Sequence, residues 1–169
     1  MAQSNASSRT TSDGLGMEVA FARVFEASRR LVFKMWTDPK HVAQWWGPHG
    51  CTNPRCELDV RIGGAIRIDM RGPDGRTYPM TGTYQEIVEP ERLVFKSAAF
   101  DDAGNPLFEA LTTVIFAERS GKTTLTLQSR VVKSTAKAAQ YLQGMEAGWT
   151  QSLERLDSYV AKASTRETS

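Results

Sequence analysis

The sequence predicts an α+β domain in which a mostly antiparallel sheet is covered by one long helix. Two observations carry that expectation. The middle of the chain is a run of strand-like segments separated by turn residues, and such short connections suit antiparallel hairpins. The chain then closes on one apolar stripe at helical spacing.

The elements follow in order. Residues 17–26, MEVAFARVFE, alternate as a strand, with Val19, Phe21 and Phe25 on one face and Arg23 among them. Ser28 caps a short helix, RRLVFKMW. Thr37-Asp38-Pro39 stops it and starts a second helix, with Asp38 as N-cap and Pro39 in the first position. This helix carries His41 to Trp45 and must end by Gly47-Pro48. Six strands are expected next. CELDVRI runs to Gly63-Gly64, AIRIDMR to Pro73-Asp74-Gly75, and TYPMTGTYQEIV to Glu89-Pro90-Glu91. RLVFKSAAF runs to a loop from Asp101 to Pro106, FEALTTVIFAE to Ser120-Gly121, and KTTLTLQSRVV closes the series. AIRIDMR is the cleanest, with Ile66, Ile68 and Met70 on one face and Arg67, Asp69 and Arg71 on the other.

The last element is expected as one helix from Thr135 to Ala161, capped by Ser134 or Thr135. Ala138, Leu142, Met145, Trp149, Leu153, Leu156 and Val160 form its stripe. Gly144 and Gly148 fall inside it, each costing ~1 kcal/mol against alanine. Close approach of another element is the expected offset. The order is strand, two short helices, six strands, long helix. A strongly curved sheet around one helix can leave a hollow, and the short helices sit where they could close its end.

Composition bounds the rest. A chain of 169 residues, 40% hydrophobic, fits one domain with a real core. Twenty-one basic against 19 acidic residues give +2, so neither nucleic acid nor an anionic membrane is an expected partner. No apolar run approaches the ~20 residues of a membrane helix. Residues 1–16 contain no apolar signal region and are expected to be a disordered tail, as are residues 163–169. The globular domain is then 17–162. Cys51 and Cys56 are expected as free thiols in a reducing cytoplasm, and monomer and homodimer both fit.

Larger patterns carry a family resemblance. TDPKHVAQWWGPHGC, RIGGAIRIDMRGPDGRTYPMTGTYQEIVEPERLVF and GMEAGWTQSLERLDSYV together resemble the single-domain bacterial relatives of the Aha-type activators of the ninety-kilodalton heat-shock chaperone. These belong to the SRPBCC superfamily of START-like and pollen-allergen-like folds. The resemblance covers about Met17 to Lys162. It implies the helix-grip fold: a curved antiparallel sheet of about seven strands wrapped around the C-terminal helix, with two short helices after the first strand and an internal cavity. Superfamily members bind lipids, hormones and polyketides, and a few catalyse cyclisation or hydrolysis. The eukaryotic activators also carry a separate N-terminal domain that engages the chaperone, for which a chain of this length has no room.

Residue type and spacing bound the candidate sites. Trp36 and Trp45 read as core, wedging the short helices against the sheet. Trp46 points away from Trp45 and precedes a Gly-Pro break, so it is expected at a cavity mouth with the Gly47 to Gly50 loop. His41, His49, Cys51 and Cys56 match no common zinc spacing, and no metal or cofactor is expected. His49 and Cys51 lack a third residue to orient the imidazole for nucleophilic catalysis. Glu86 and Arg67 are catalytic candidates only if they face inward, which a bulge could decide. The aromatic and methionine inventory suits a cavity. Met70, Met80, Tyr84, Phe95 and Phe100 are expected from the sheet, and Tyr141, Met145 and Trp149 from the helix. The reading is binding of a small, largely hydrophobic molecule. Two others stand beside it: a polyketide cyclase- or hydrolase-like enzyme, which needs an ionisable side chain in the cavity, and a chaperone-associated module, which needs an exposed interaction surface.

Overall fold

The computed structural model describes residues 3–6 and 14–168. Eight strands and four helices follow one another: β1 (Gln3–Ala6), β2 (Glu18–Phe25), α1 (Arg29–Thr37), α2 (Pro39–Trp45), β3 (Thr52–Leu58), β4 (Ala65–Arg71), β5 (Thr77–Val88), β6 (Arg92–Phe100), β7 (Pro106–Arg119), β8 (Lys122–Ser134), α3 (Ala138–Leu142) and α4 (Met145–Thr168). The sheet order is β1-β2-β8-β7-β6-β5-β4-β3, and every pairing is antiparallel. This is the expected helix-grip arrangement, with one short strand added at the edge.

Local chemistry sets the boundaries. The Ser28 hydroxyl accepts from Leu31 N–H and opens α1. Asp38 ends α1 and caps α2, accepting from Lys40 N–H at 2.9 Å, with Pro39 in the first turn. The Gly63-Gly64 pair is explained by close approach. Gly63 has φ of +81°, and a Cβ on Gly64 would collide with the Asp59 carbonyl oxygen. Tyr84 N–H donates to Gly64 O, tying this turn to β5.

The core lies on the inward face of the sheet. Val19, Phe21 and Phe25 from β2 meet Leu153, Leu156 and Val160 from α4. Trp36 and Trp45 are buried with them, as expected, their rings 4.7 Å apart, and Trp45 Nε1 donates to Met35 O. Arg23, on the same strand face, pairs with Asp157 of α4 at 3.0 Å.

Several boundaries differ from expectation. The C-terminal helix is two helices, broken at Gln143-Gly144, where Gly144 N–H turns back to Tyr141 O. Neither Ser134 nor Thr135 caps α3: Ser134 ends β8, and the Thr135 hydroxyl donates to Leu107 O. The glycines have no crowding to explain them. A Cβ on Gly144 or Gly148 would meet nothing nearer than 3.7 Å. Of the expected N-terminal tail, residues 1–2 and 7–13 lie outside the described residues, while Gln3–Ala6 pair with β2. The expected C-terminal tail continues α4 as far as Thr168.

Candidate functional site

A hollow of about 270 Å³ lies between the sheet and α4. Its origin is a change of side-chain size along the inward face of three strands. Inward positions on β6 run Leu93, Phe95, Ser97, Ala99. On β7 they run Phe116, Val114, Thr112, Ala110, and on β8 Leu125, Leu127, Ser129. Large residues fill one end of the sheet, small ones follow along the strands, and Phe100, Leu107 and Phe108 line the hollow beyond them. The small ones are cross-strand neighbours, Ser97 opposite Ala110 and Thr112 opposite Ser129. They form a continuous shallow floor. Opposite it, α4 presents Met145, Gly148, Trp149 and Ser152, spaced as one helix face. Gly148 leaves further room: a Cβ there would meet only Pro48 Cγ, at 3.9 Å.

Seven of the residues expected at a cavity line this hollow: Trp46, Met70, Met80, Phe100, Tyr141, Met145 and Trp149. Tyr84 and Phe95 do not. They pair across β5 and β6 deeper along the sheet and are buried in the core. There they line a separate gap of about 20 Å³ with Trp36. Trp46 and Met80 line both spaces and stand between them. Burial pushes the Tyr84 phenol well above its ordinary range. Of the expected mouth loop, Gly47 and Pro48 line the hollow, whereas His49 and Gly50 are exposed. The residues missed by sequence reasoning are mostly the floor: Ser97, Ala99, Ala110, Thr112 and Ser129, with Ser152 above them. Their small side chains carry no chemical flag in the sequence, and only the strand register brings them together.

Aromatic rings close the inner end. Trp46 meets Trp149 edge-on at 5.5 Å, and Trp149 stacks on Trp36 at 6.3 Å. The segment that carries Trp46 is held chiefly by one side chain. Arg155 of α4 donates from Nη1 to Trp46 O, Gly47 O and Pro48 O, and from Nη2 to Gln44 O and Cys51 O, at 2.9 to 3.1 Å. Asn53 adds bonds to Ala43 O and Trp46 O, and His49 N–H donates to Gln151 Oε1. Gly47 itself needs its positive φ of +93°, and a Cβ there would lie 2.5 Å from Met70 Sδ. Trp46, Gly47 and Pro48 are therefore wall residues of the hollow, in a segment clamped to α4.

The polar groups of the lining are few. Thr112 and Ser129, each 1% exposed, share a 2.9 Å hydroxyl–hydroxyl bond. Ser152 is 5% exposed, and Tyr141, at 37%, stands at the rim. The Tyr78 phenol is pushed up by burial and by the Asp74 carboxylate. Among the described residues, no carboxylate, imidazole, amine or guanidinium belongs to the lining. Glu86 does not face inward: the sheet register shifts between Tyr84 and Glu86, and Glu86 pairs with Arg92 at the surface. Arg67 is exposed.

The histidines and cysteines are dispersed. His41 bonds the Tyr159 hydroxyl at 2.6 Å, and His49 faces Glu154 at 3.4 Å. Both thiols are free; burial pushes Cys51 up and Cys56 up to about 11. Among the described residues, no group of three or more His, Cys, Asp or Glu side chains is placed to hold a metal ion.

Comparison with known families adds the decisive observation. Residues 26–161 match the family described as Activator of Hsp90 ATPase homolog 1-like protein. The chain belongs to that family. Its AHSA1-like fold recurs in solved bacterial structures. A protein of Chromobacterium violaceum is 28% identical with a TM-score of 0.71, covering 85% of this chain and 96% of that one. The AHSA1 protein of Silicibacter pomeroyi is 26% identical with a TM-score of 0.72, over 86% and 99%. CalU16 of Micromonospora echinospora shares the fold at 16% identity, with a TM-score of 0.62 over 98% and 90%. No curated protein matches the chain. No described helix of this AHSA1-like chain is long and apolar enough to cross a membrane.

Proposed function

We propose that the protein binds a small, largely hydrophobic molecule in the hollow between its sheet and α4. One observation carries the reading: about 270 Å³ of space with an apolar and aromatic lining and, among the described residues, no charged side chain. Burial of apolar surface drives binding at ~25 cal/mol per Å². The same lining weighs against the cyclase or hydrolase reading: among the described residues its titratable side chains are the Tyr78 and Tyr141 phenols, and burial moves Tyr78 further from the neutral range in which a general base works best.

The test uses the tryptophans already in place. Trp46 and Trp149 should report naphthalene binding as a saturable change in intrinsic fluorescence. Ala110→Phe fills the floor and should remove that response while the protein still melts cooperatively. A non-saturable response, or one that survives Ala110→Phe unchanged, contradicts the proposal.

A further inference from the structure

We infer that the hollow selects an uncharged, flat molecule of about two rings bearing one hydroxyl or carbonyl oxygen, and that this oxygen docks on the Thr112–Ser129 pair. The inference rests on the ligand-binding reading above and adds the class of ligand.

Size comes first. A dry apolar cavity of about 150 Å³ takes benzene. A hollow of about 270 Å³ is nearly twice that, and suits two rings. Shape comes from the walls. The Trp46 and Trp149 indoles meet edge-on, with Phe100 and Tyr78 also in the lining. Aromatic guests gain from edge and offset contacts with such rings beyond the area they bury. Charge is decided by what the lining lacks. A carboxylate or phosphate entering would be desolvated with no cation among the described lining residues to pair with it, a cost far above that of a neutral polar group.

The oxygen is placed by hydrogen-bond accounting. Thr112 Oγ1 and Ser129 Oγ carry two hydroxyl protons between them, and their mutual bond uses one. Among the described residues, neither hydroxyl has another partner. One hydroxyl proton and several lone pairs are thus not used within the pair, which is 1% exposed and lines the hollow. Burying polar capacity without partners is unfavourable. Valine and alanine would fill the same two positions with no such cost. A ligand hydroxyl or carbonyl accepting that proton offsets it.

Calorimetric titration with naphthalene, 2-naphthol and 2-naphthoate at pH 7 tests the inference on wild type, Thr112→Val and Ser129→Ala. Wild type should bind 2-naphthol about tenfold more tightly than naphthalene, the weight of one net hydrogen bond. It should bind 2-naphthoate far more weakly than either. In both variants the ratio of 2-naphthol to naphthalene affinity should fall toward one, whatever happens to the naphthalene affinity itself. Equal affinity of wild type for naphthalene and 2-naphthol overturns the inference but leaves the binding reading standing. So does preference for 2-naphthoate, or a margin that survives in both variants. Failure of wild type to bind naphthalene overturns both.

Discussion

Arg155 shows how one residue organises the segment that the sequence left most open. TDPKHVAQWWGPHGC offers tryptophans, histidine and cysteine in close order, and metal, nucleophile and wall were all weighed there. None of those side chains decides the matter. A guanidinium from α4, more than a hundred positions away, binds five carbonyl oxygens between Gln44 and Cys51. No local pattern could have indicated it, because the partners are backbone atoms. A lysine has no planar fork to reach both rows of carbonyls. Arg155→Lys should therefore lower stability by about 2 kcal/mol in urea denaturation and weaken naphthalene binding. An unchanged midpoint would show that the clamp carries nothing. Cys56 gives a second test at this scale. Its thiol is pushed up to about 11 by burial and, less strongly, by the Asp38 and Glu57 carboxylates. The folded state thus favours the neutral thiol. That contribution is present below the ordinary thiol range and is lost as pH rises toward 11. Alkylation of Cys56 at pH 8 should be much slower in the folded protein than in urea.

Among elements, those with a strong period or a capping residue were legible. Asp38-Pro39 located the helix junction and AIRIDMR the strand β4. The break between α3 and α4 was not, because the apolar stripe passes through it. Ala138 and Leu142 stay buried on one side, Leu153 and Leu156 on the other, and Gly144 between them is exposed. Periodicity reports which side faces inward, and here that side is the same before and after the bend. Strand β1 was equally hidden. QSNA has no apolar alternation and joins the sheet through backbone pairing with β2. The glycines separate into two kinds, and the difference is measurable. Gly64→Ala forces a Cβ onto the Asp59 carbonyl and should cost more than about 2 kcal/mol. Gly148→Ala meets only Pro48 Cγ at 3.9 Å and should stabilise the helix by about 1 kcal/mol. Thermal melts of the two variants should move in opposite directions.

At the scale of the molecule, the order of elements and the family motifs were enough for the architecture. The site was legible only in part, for a physical reason. Large aromatic and sulfur-containing side chains were sought, and those at Trp46, Met70, Phe100, Met145 and Trp149 do surround the hollow. Tyr84 and Phe95 belong to the same chemical type but are packed into the core. A hollow is made where side chains are small, and its floor of Ser97, Ala99, Ala110, Thr112 and Ser129 carries no chemical flag of its own. Only strand register, bulges included, shows that these five lie together.

The central claim is that this space is open to a guest. It is tested most directly by NMR of the 15N-labelled protein during titration with naphthalene. The account predicts saturable shifts concentrated at the Trp46 and Trp149 indole N–H groups and at the amides of Ala110, Ser129 and Gly148. Shifts absent there, or confined to the outward face of β2, β7 and β8, would contradict it.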